Sequence, residues 1–275
     1  MTSTKKNIVL FDMDGTLTCA RKKAEWSLVR PLRMLSKYAD IGVVTGSPLN
    51  YLMQQCGLLW DALGSVDVVC FQLFPCNGTQ AYTYDFEKSR WESFSNTDMR
   101  SHIGTDNYNK LVREILSLQS AYVDQYPEMP LTGNFISDRK SMINWCPVGR
   151  DADDEHRLLF GVFDKKQECR THLKESLELV LSYMGVQNIE CVLGGNTSID
   201  IYPSGWDKTY VLRHLEKYEN IFFVGDKCEG MGNDMSLYEA LTPGETSFKT
   251  TGPHDTVIII HQLIKHLEVQ DNVTA

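Results

Sequence analysis

The chain has 275 residues, enough for one large domain or two modest ones around a sizeable core. Hydrophobic residues make up 42% and charged residues 23%, which excludes a mostly disordered chain. A net charge of -9 argues against a broad nucleic-acid surface, so an anionic ligand needs a local basic cluster. Cysteines stand at positions 19, 56, 70, 76, 146, 169, 191 and 228 with no C-x-x-C pair, a pattern of reduced thiols rather than of a zinc site. The opening MTSTKKN leads straight into an apolar strand, and no apolar run is long enough to span a bilayer. The expectation is a cytoplasmic protein with no nucleic-acid or membrane partner.

Residues 7–11 (NIVLF) are short, continuous and apolar, as in a buried strand. Residues 24–38 carry helical spacing at Trp26, Val29, Leu32, Leu35 and Tyr38; Pro31 implies a kink or a late start. Residues 41–45 (IGVVT) and 66–71 (VDVVCF) read as further strands, which predicts a parallel sheet. The stretch YTYDFEKSRWESFS alternates like an antiparallel hairpin. Residues 108–126 and 164–184 predict long amphipathic helices, and 133–146 and 190–202 predict strands. Beyond them come a helix over Trp206–Tyr218, a strand at 221–226 (IFFVGD) and a final helix in TVIIIHQLIKHLEV. The predicted fold class is α/β. A parallel-sheet core in two pieces, residues 1–87 and 208–275, carries an α+β cap inserted at 88–207 that sets substrate specificity.

The chemistry begins at the end of the first strand, in LFDMDGT. Residues two apart on a strand share a face, so Asp12 and Asp14 project together, and Gly15 lets the chain turn. Ligands of open parallel sheets gather at this end of the strands. Two close carboxylates repel unless they share a cation, and magnesium suits carboxylates together with phosphate oxygens. An isolated D-x-D reads more readily as an acidic turn after a strand. Here Ser47 follows the second strand, Lys208 opens a helix, Asp226 ends IFFVGD, and Asp234 lies shortly after. Together these resemble the four motifs of the haloacid-dehalogenase-like superfamily, which implies a Rossmann-like core. In that chemistry Asp12 attacks phosphorus and forms an aspartyl-phosphate, and Asp14 is the general acid/base. Ser47 and Lys208 donate to phosphoryl oxygens. Asp226 and Asp234, with Asp12 and Asp14, form the metal set for Mg²⁺.

The required basic cluster is present as Arg139, Arg150 and Arg157, with Arg21 just past the first motif. The chain resembles the eukaryotic-type phosphomannomutases through LFDMDGTLTCAR, IGVVTGS, Asn77-Gly78, the R-x10-R-x6-R spacing of the three arginines, GGNTSIDIYPSGWDKTYVLRHLE, and FFVGDK followed by GND. The resemblance implies interconversion of mannose 6-phosphate and mannose 1-phosphate, which supplies GDP-mannose synthesis. It implies glucose 1,6-bisphosphate or mannose 1,6-bisphosphate as the activator that phosphorylates Asp12. Arg21, Arg139, Arg150 and Arg157 would contact the substrate beside Ser198 and Asp200, so that one phosphate reacts at Asp12 while cap arginines hold the other. A homodimer joined through the cap is also implied. Thr45, Pro48, Cys76, Met231 and the cap entry TGNFISD depart from the family pattern, and the loop between residues 58 and 75 is longer. The sequence leaves open a sugar-phosphate phosphatase on the same scaffold, a non-catalytic hexose-phosphate-binding protein, and the choice between mannose and glucose phosphates.

Overall fold

The computed structural model describes residues 5–68, 70–230 and 232–274. The chain forms two compact units, Met1–Asn96 with Asp207–Ala275, and Thr97–Trp206. In the first unit β1 (Asn7–Phe11) is buried along its whole length. A 3₁₀ turn at Trp26–Leu28 then leads into α1 (Val29–Leu35), so the helix starts late. Pro31 falls in its first turn, where a missing N–H removes no helical hydrogen bond. β2 (Asp40–Val44), α2 (Leu49–Val68) and β3 (Phe71–Phe74) follow. The strand expected at 66–71 therefore lies later: residues 66–68 close α2, Val69 lies outside the described residues, and the sheet resumes at Phe71. A short apolar run suits a buried helix end as well as a strand. β4 (Gln80–Asp85) and β5 (Arg90–Asn96) form the expected hairpin. Because β4 pairs with β3 and β5 with β4, the hairpin belongs to the first unit. The division thus falls at 96/97 and 206/207 rather than at 87/88 and 207/208.

The second unit contains α3 (Met99–Ile103), α4 (Thr105–Gln125), the short strands β6 (Ile136–Asp138) and β7 (Ile143–Trp145), α5 (Asp154–Gln167), α6 (Cys169–Tyr183), β8 (Ile189–Gly194) and β9 (Ser198–Pro203). The single helix expected at 164–184 is instead the end of α5 and the whole of α6. Glu168 separates them in a left-handed conformation (φ 50°), which breaks the helical hydrogen-bond ladder. The runs 133–146 and 190–202 each hold two strands. The antiparallel sheet has the order β6-β7-β9-β8, and α6 packs on β8 and on α4. Trp145 is buried in this core, where its indole N–H donates to Gln119 Oε1 at 2.7 Å.

The chain then returns to the first unit. Lys208–His214 is a 3₁₀ segment in place of the α-helix expected over Trp206–Tyr218. β10 (Asn220–Gly225), α7 (Met235–Ala240), β11 (Ser247–Lys249) and α8 (Pro253–Thr274) complete it. The seven-stranded sheet has the order β11-β10-β1-β2-β3-β4-β5; the first five strands pair in parallel, and β4 pairs antiparallel with both β3 and β5. Val9 and Phe11 of β1 pack with α1, α2 and α8, whereas Ile8 and Leu10 pack with the 3₁₀ segment and α7. This double burial explains the continuous apolar pattern of NIVLF. From β1 the sheet grows one way through β2 and β3 and the other way through β10 and β11. The carboxyl end of β1 is therefore the point where the strand order reverses, the usual ligand position in such sheets.

Candidate active site

Asp12 follows the last residue of β1, and its N–H donates to Val224 O of β10 at 2.9 Å, which extends the ladder by one residue. Asp226 directly follows β10. Asp207 caps the 3₁₀ segment by accepting the Thr209 N–H at 3.0 Å, and this cap turns Lys208 into the interior. Lys208 is 1% exposed. Its Nζ donates to Asp12 Oδ1 at 2.6 Å and to Asp234 Oδ1. Asp234 is fully buried and also accepts the Lys227 N–H at 3.0 Å through Oδ2. Two glycines make room for these carboxylates. A Cβ on Gly15 (φ +91°) would lie 2.2 Å from Asp226 Oδ2, and one on Gly225 would lie 2.7 Å from Asp234 Oδ2.

One oxygen from each of Asp12, Asp226 and Asp234 lies within 4.8 Å of the others. Burial and the neighbouring Asp234 push Asp12 up to about 8 despite Lys208. Burial and Asp234 also raise Asp226. Burial opposes the charge on Lys208, but Asp12 and Asp234 outweigh it and hold the ammonium above its ordinary value. Three carboxylates therefore face one ammonium, and the donors are all hard oxygens. This set fits a divalent cation such as magnesium, which would balance the remaining charge.

Asp14 stands outside this trio. Its Oδ1 accepts the Arg21 backbone N–H at 2.7 Å. Arg21 adopts φ 61°, a left-handed turn that aims its amide at Asp14, while its side chain is exposed. Gln55 of α2 also reaches Asp14, and the sequence reading missed it. The signal was a polar residue on the apolar stripe of Leu52, Cys56 and Leu59. Ser47 lies three residues past β2, and its N–H donates to Thr45 Oγ1 at 3.1 Å. Ser47 O accepts the Cys76 N–H and Thr45 O accepts the Asn77 N–H, so the two departures at Thr45 and Cys76 lie in one pair of joined loops. Pro48 opens α2, where its carbonyl accepts from Tyr51 and Leu52. Met231 lies outside the described residues.

In the second unit β9 alternates: Ile199 and Ile201 are buried, and Ser198 and Asp200 occupy the opposite face. Asn144 of β7 lies opposite Asp200 and donates to its Oδ1 at 2.6 Å. Arg150 Nη1 donates to Asn144 Oδ1 at 2.6 Å, and Arg139 Nη1 lies 3.9 Å from Asp200 Oδ1. Arg157 donates to Ala152 O at 3.0 Å and to Thr197 Oγ1 at 2.7 Å, next to Ser198. Gly194 lacks the Cβ that would lie 2.5 Å from Asp200 Oδ2. Arg150 and Asp200 are thus tied together through Asn144, Arg139 pairs directly with Asp200, and Arg157 is held at Thr197. Neither Asn144 nor Thr197 was anticipated, although Asn144 alternates with the buried Ile143 and Trp145.

The eukaryotic phosphomannomutase family model matches residues 28–266. A phosphomannomutase of Arabidopsis thaliana is 34% identical over 250 residues, covering 91% of this chain and 93% of that one. One of Schizosaccharomyces pombe is 34% identical over 255 residues, covering 92% of each. Among solved structures, an IMP-bound IMP-nucleotidase of Plasmodium falciparum has a TM-score of 0.67 at 14% identity, covering 96% of this chain and 67% of that one. A trehalose-6-phosphate phosphatase related protein has a TM-score of 0.52 at 16% identity, covering 96% and 99%. At such identities the structural likeness shows the fold alone, a haloacid-dehalogenase-like parallel-sheet core. The sequence matches go further, and on their strength the chain belongs to the eukaryotic phosphomannomutase family.

Proposed function

We propose that the protein is a phosphomannomutase that interconverts mannose 6-phosphate and mannose 1-phosphate, the latter feeding GDP-mannose synthesis, through an aspartyl-phosphate on Asp12. The observation that carries the chemistry is the placement of Asp12 at the end of β1, locked to the buried Lys208 and within reach of Asp226 and Asp234.

The activator is a hexose 1,6-bisphosphate. An Asp12 oxygen attacks one phosphorus, the bond from phosphorus to the sugar oxygen breaks, and that oxygen takes a proton from the Asp14 carboxyl. In the reverse transfer Asp14 takes the proton from the incoming hydroxyl. Lys208 holds the orientation of Asp12 and adds positive charge beside it. The Ser47 hydroxyl donates to the phosphoryl oxygens, and Thr45 holds the Ser47 amide. Asp12, Asp226 and Asp234 would hold a magnesium ion, which when bound would neutralise phosphoryl charge. A bisphosphate also needs donors for its non-reacting phosphate. Arg139, Arg150 and Arg157 offer guanidinium forks for it, with Ser198 and Asp200 for sugar hydroxyls and Arg21 as a further cation.

The division of the chain supports a role for residues 97–206 in substrate choice, because all of the three-arginine set lies there. The second unit also leaves Leu158, Leu159 and Val162 of α5 open to solvent, which supports a homodimer through this unit. Among the described residues no helix is long and apolar enough to cross a membrane.

The deciding experiment follows mannose 6-phosphate and free phosphate together from mannose 1-phosphate and Mg²⁺, with and without glucose 1,6-bisphosphate. Activator-dependent mannose 6-phosphate with little free phosphate is the expected result. Free phosphate as the main product, indifferent to the activator, would replace the mutase with a phosphatase; turnover of neither kind would leave a binding protein.

A further inference from the structure

We infer that Gln55 is a positioning residue for the proton-transferring Asp14, an inference that rests on the acid/base role proposed above. Its side chain is 6% exposed and lies on the apolar stripe of α2, where a primary amide is costly to bury unless its polar atoms are satisfied. The surroundings decide its orientation. Lys22 O and an ionised Asp14 Oδ1 can only accept, and the Thr18 hydroxyl already donates to Met13 O at 3.2 Å. The Gln55 nitrogen therefore faces them, at 3.0 Å from Asp14 Oδ1 and 3.2 Å from both Lys22 O and Thr18 Oγ1.

Asp14 Oδ1 thus receives two donors, the Arg21 N–H and the Gln55 amide. No other described residue donates to Oδ2. A carboxyl held in this way has its plane set and carries its transferable proton on Oδ2. Gln55 governs the second donor as well as the first. Its side chain contacts Thr18 Oγ1 before Arg21 and Lys22 O after it, and its backbone carbonyl accepts the Ala24 N–H at 2.8 Å, so Gln55 pins both sides of the loop that turns the Arg21 amide toward Asp14. General acid catalysis depends on such alignment, since the proton must reach the leaving oxygen as the bond breaks.

The test uses the full chain with Mg²⁺ and measures single-turnover phosphorylation of Asp12 from two labelled donors. Glucose 1,6-bisphosphate expels a sugar oxygen that needs a proton, whereas acetyl phosphate expels acetate, which needs none. Gln55→Met keeps the size of the side chain and removes its donors; Gln55→Glu serves if the first variant folds poorly. Asp14→Asn is the reference. The expected result is a loss of about 10- to 100-fold with the bisphosphate and less than about threefold with acetyl phosphate. Equal losses with both donors, or no loss with either, would overturn the inference and leave Gln55 a structural residue. If Gln55→Met is unselective while Asp14→Asn is selective, only the role of Gln55 falls. If Asp14→Asn is itself unselective, the acid/base reading falls, and the inference with it.

Discussion

The two units handle charge in opposite ways. In the first, ionisable groups are buried at the carboxyl ends of parallel strands, and three carboxylates crowd one ammonium. In the second, charged groups lie across the face of an antiparallel sheet and are joined through the neutral Asn144. The first arrangement holds a conflict that an incoming cation relieves; the raised position of Asp12 is its mark. In the second, Asn144 already holds both Asp200 and Arg150, and Thr197 holds Arg157, so these guanidinium groups can meet an anion at little cost in reorganisation. On the proposed reading, one cluster makes and breaks bonds and the other recognises the substrate, and substitutions should separate them.

The largest effect is expected at Asp12. Asp12→Asn should lower mannose 6-phosphate formation by at least about 10⁴-fold, because the attacking oxygen is gone. Its thermal melt in the absence of Mg²⁺ should stay level or rise, because one of three crowded carboxylates has been neutralised. Lys208→Met should do the reverse to stability: it strands the buried Asp12 and Asp234 and should cost about 3–5 kcal/mol in urea unfolding, along with activity. Next come Arg139→Ala and Arg150→Ala in the second unit. Each should raise KM for mannose 1-phosphate by about 10- to 100-fold, while phosphorylation of Asp12 by acetyl phosphate, which has no second phosphate, stays within about threefold. Comparable losses with acetyl phosphate would erase the division between chemistry and recognition.

The smallest and most diagnostic effect is electrostatic. Asp12 is raised in the folded chain from 3.8 to about 8, so the folded state holds its proton more tightly than the unfolded state. This contribution to stability is fully present below the unfolded value and is lost as pH rises through the folded one. With Asp12 in the proposed metal set, magnesium would bind its ionised form, so the gain in melting temperature should be greater at about pH 8 than at about pH 6, and Asp12→Asn should flatten that difference. An equal gain at both values in the unsubstituted chain would remove Asp12 from the metal set.

The strands that carry the first site were legible because burial on both faces leaves a continuous apolar signature, as in NIVLF and IFFV, and because the acidic residues sit at strand ends. Less legible were features decided by distant partners. Gln55 and Asn144 gain their meaning from Asp14 and Asp200, which are remote in sequence. Glu168 adopts a left-handed conformation without being the glycine or asparagine that would announce it. The end of α2 at Val68 and the 3₁₀ geometry of Lys208–His214 turn on packing against the sheet rather than on local propensity.

The central place of β1 has a consequence for synthesis. Asn7 of β1 and Asn220 of β10 are 213 positions apart yet hydrogen-bonded, whereas every strand partner in the second unit lies between residues 97 and 206. As the chain leaves the ribosome, the second unit has all its partners before the first has closed its sheet. Until β10 emerges, β1 presents one bare, apolar edge. A nascent chain stalled before residue 220 is thus a natural client for chaperones, and truncations at that point should aggregate rather than yield a smaller folded protein.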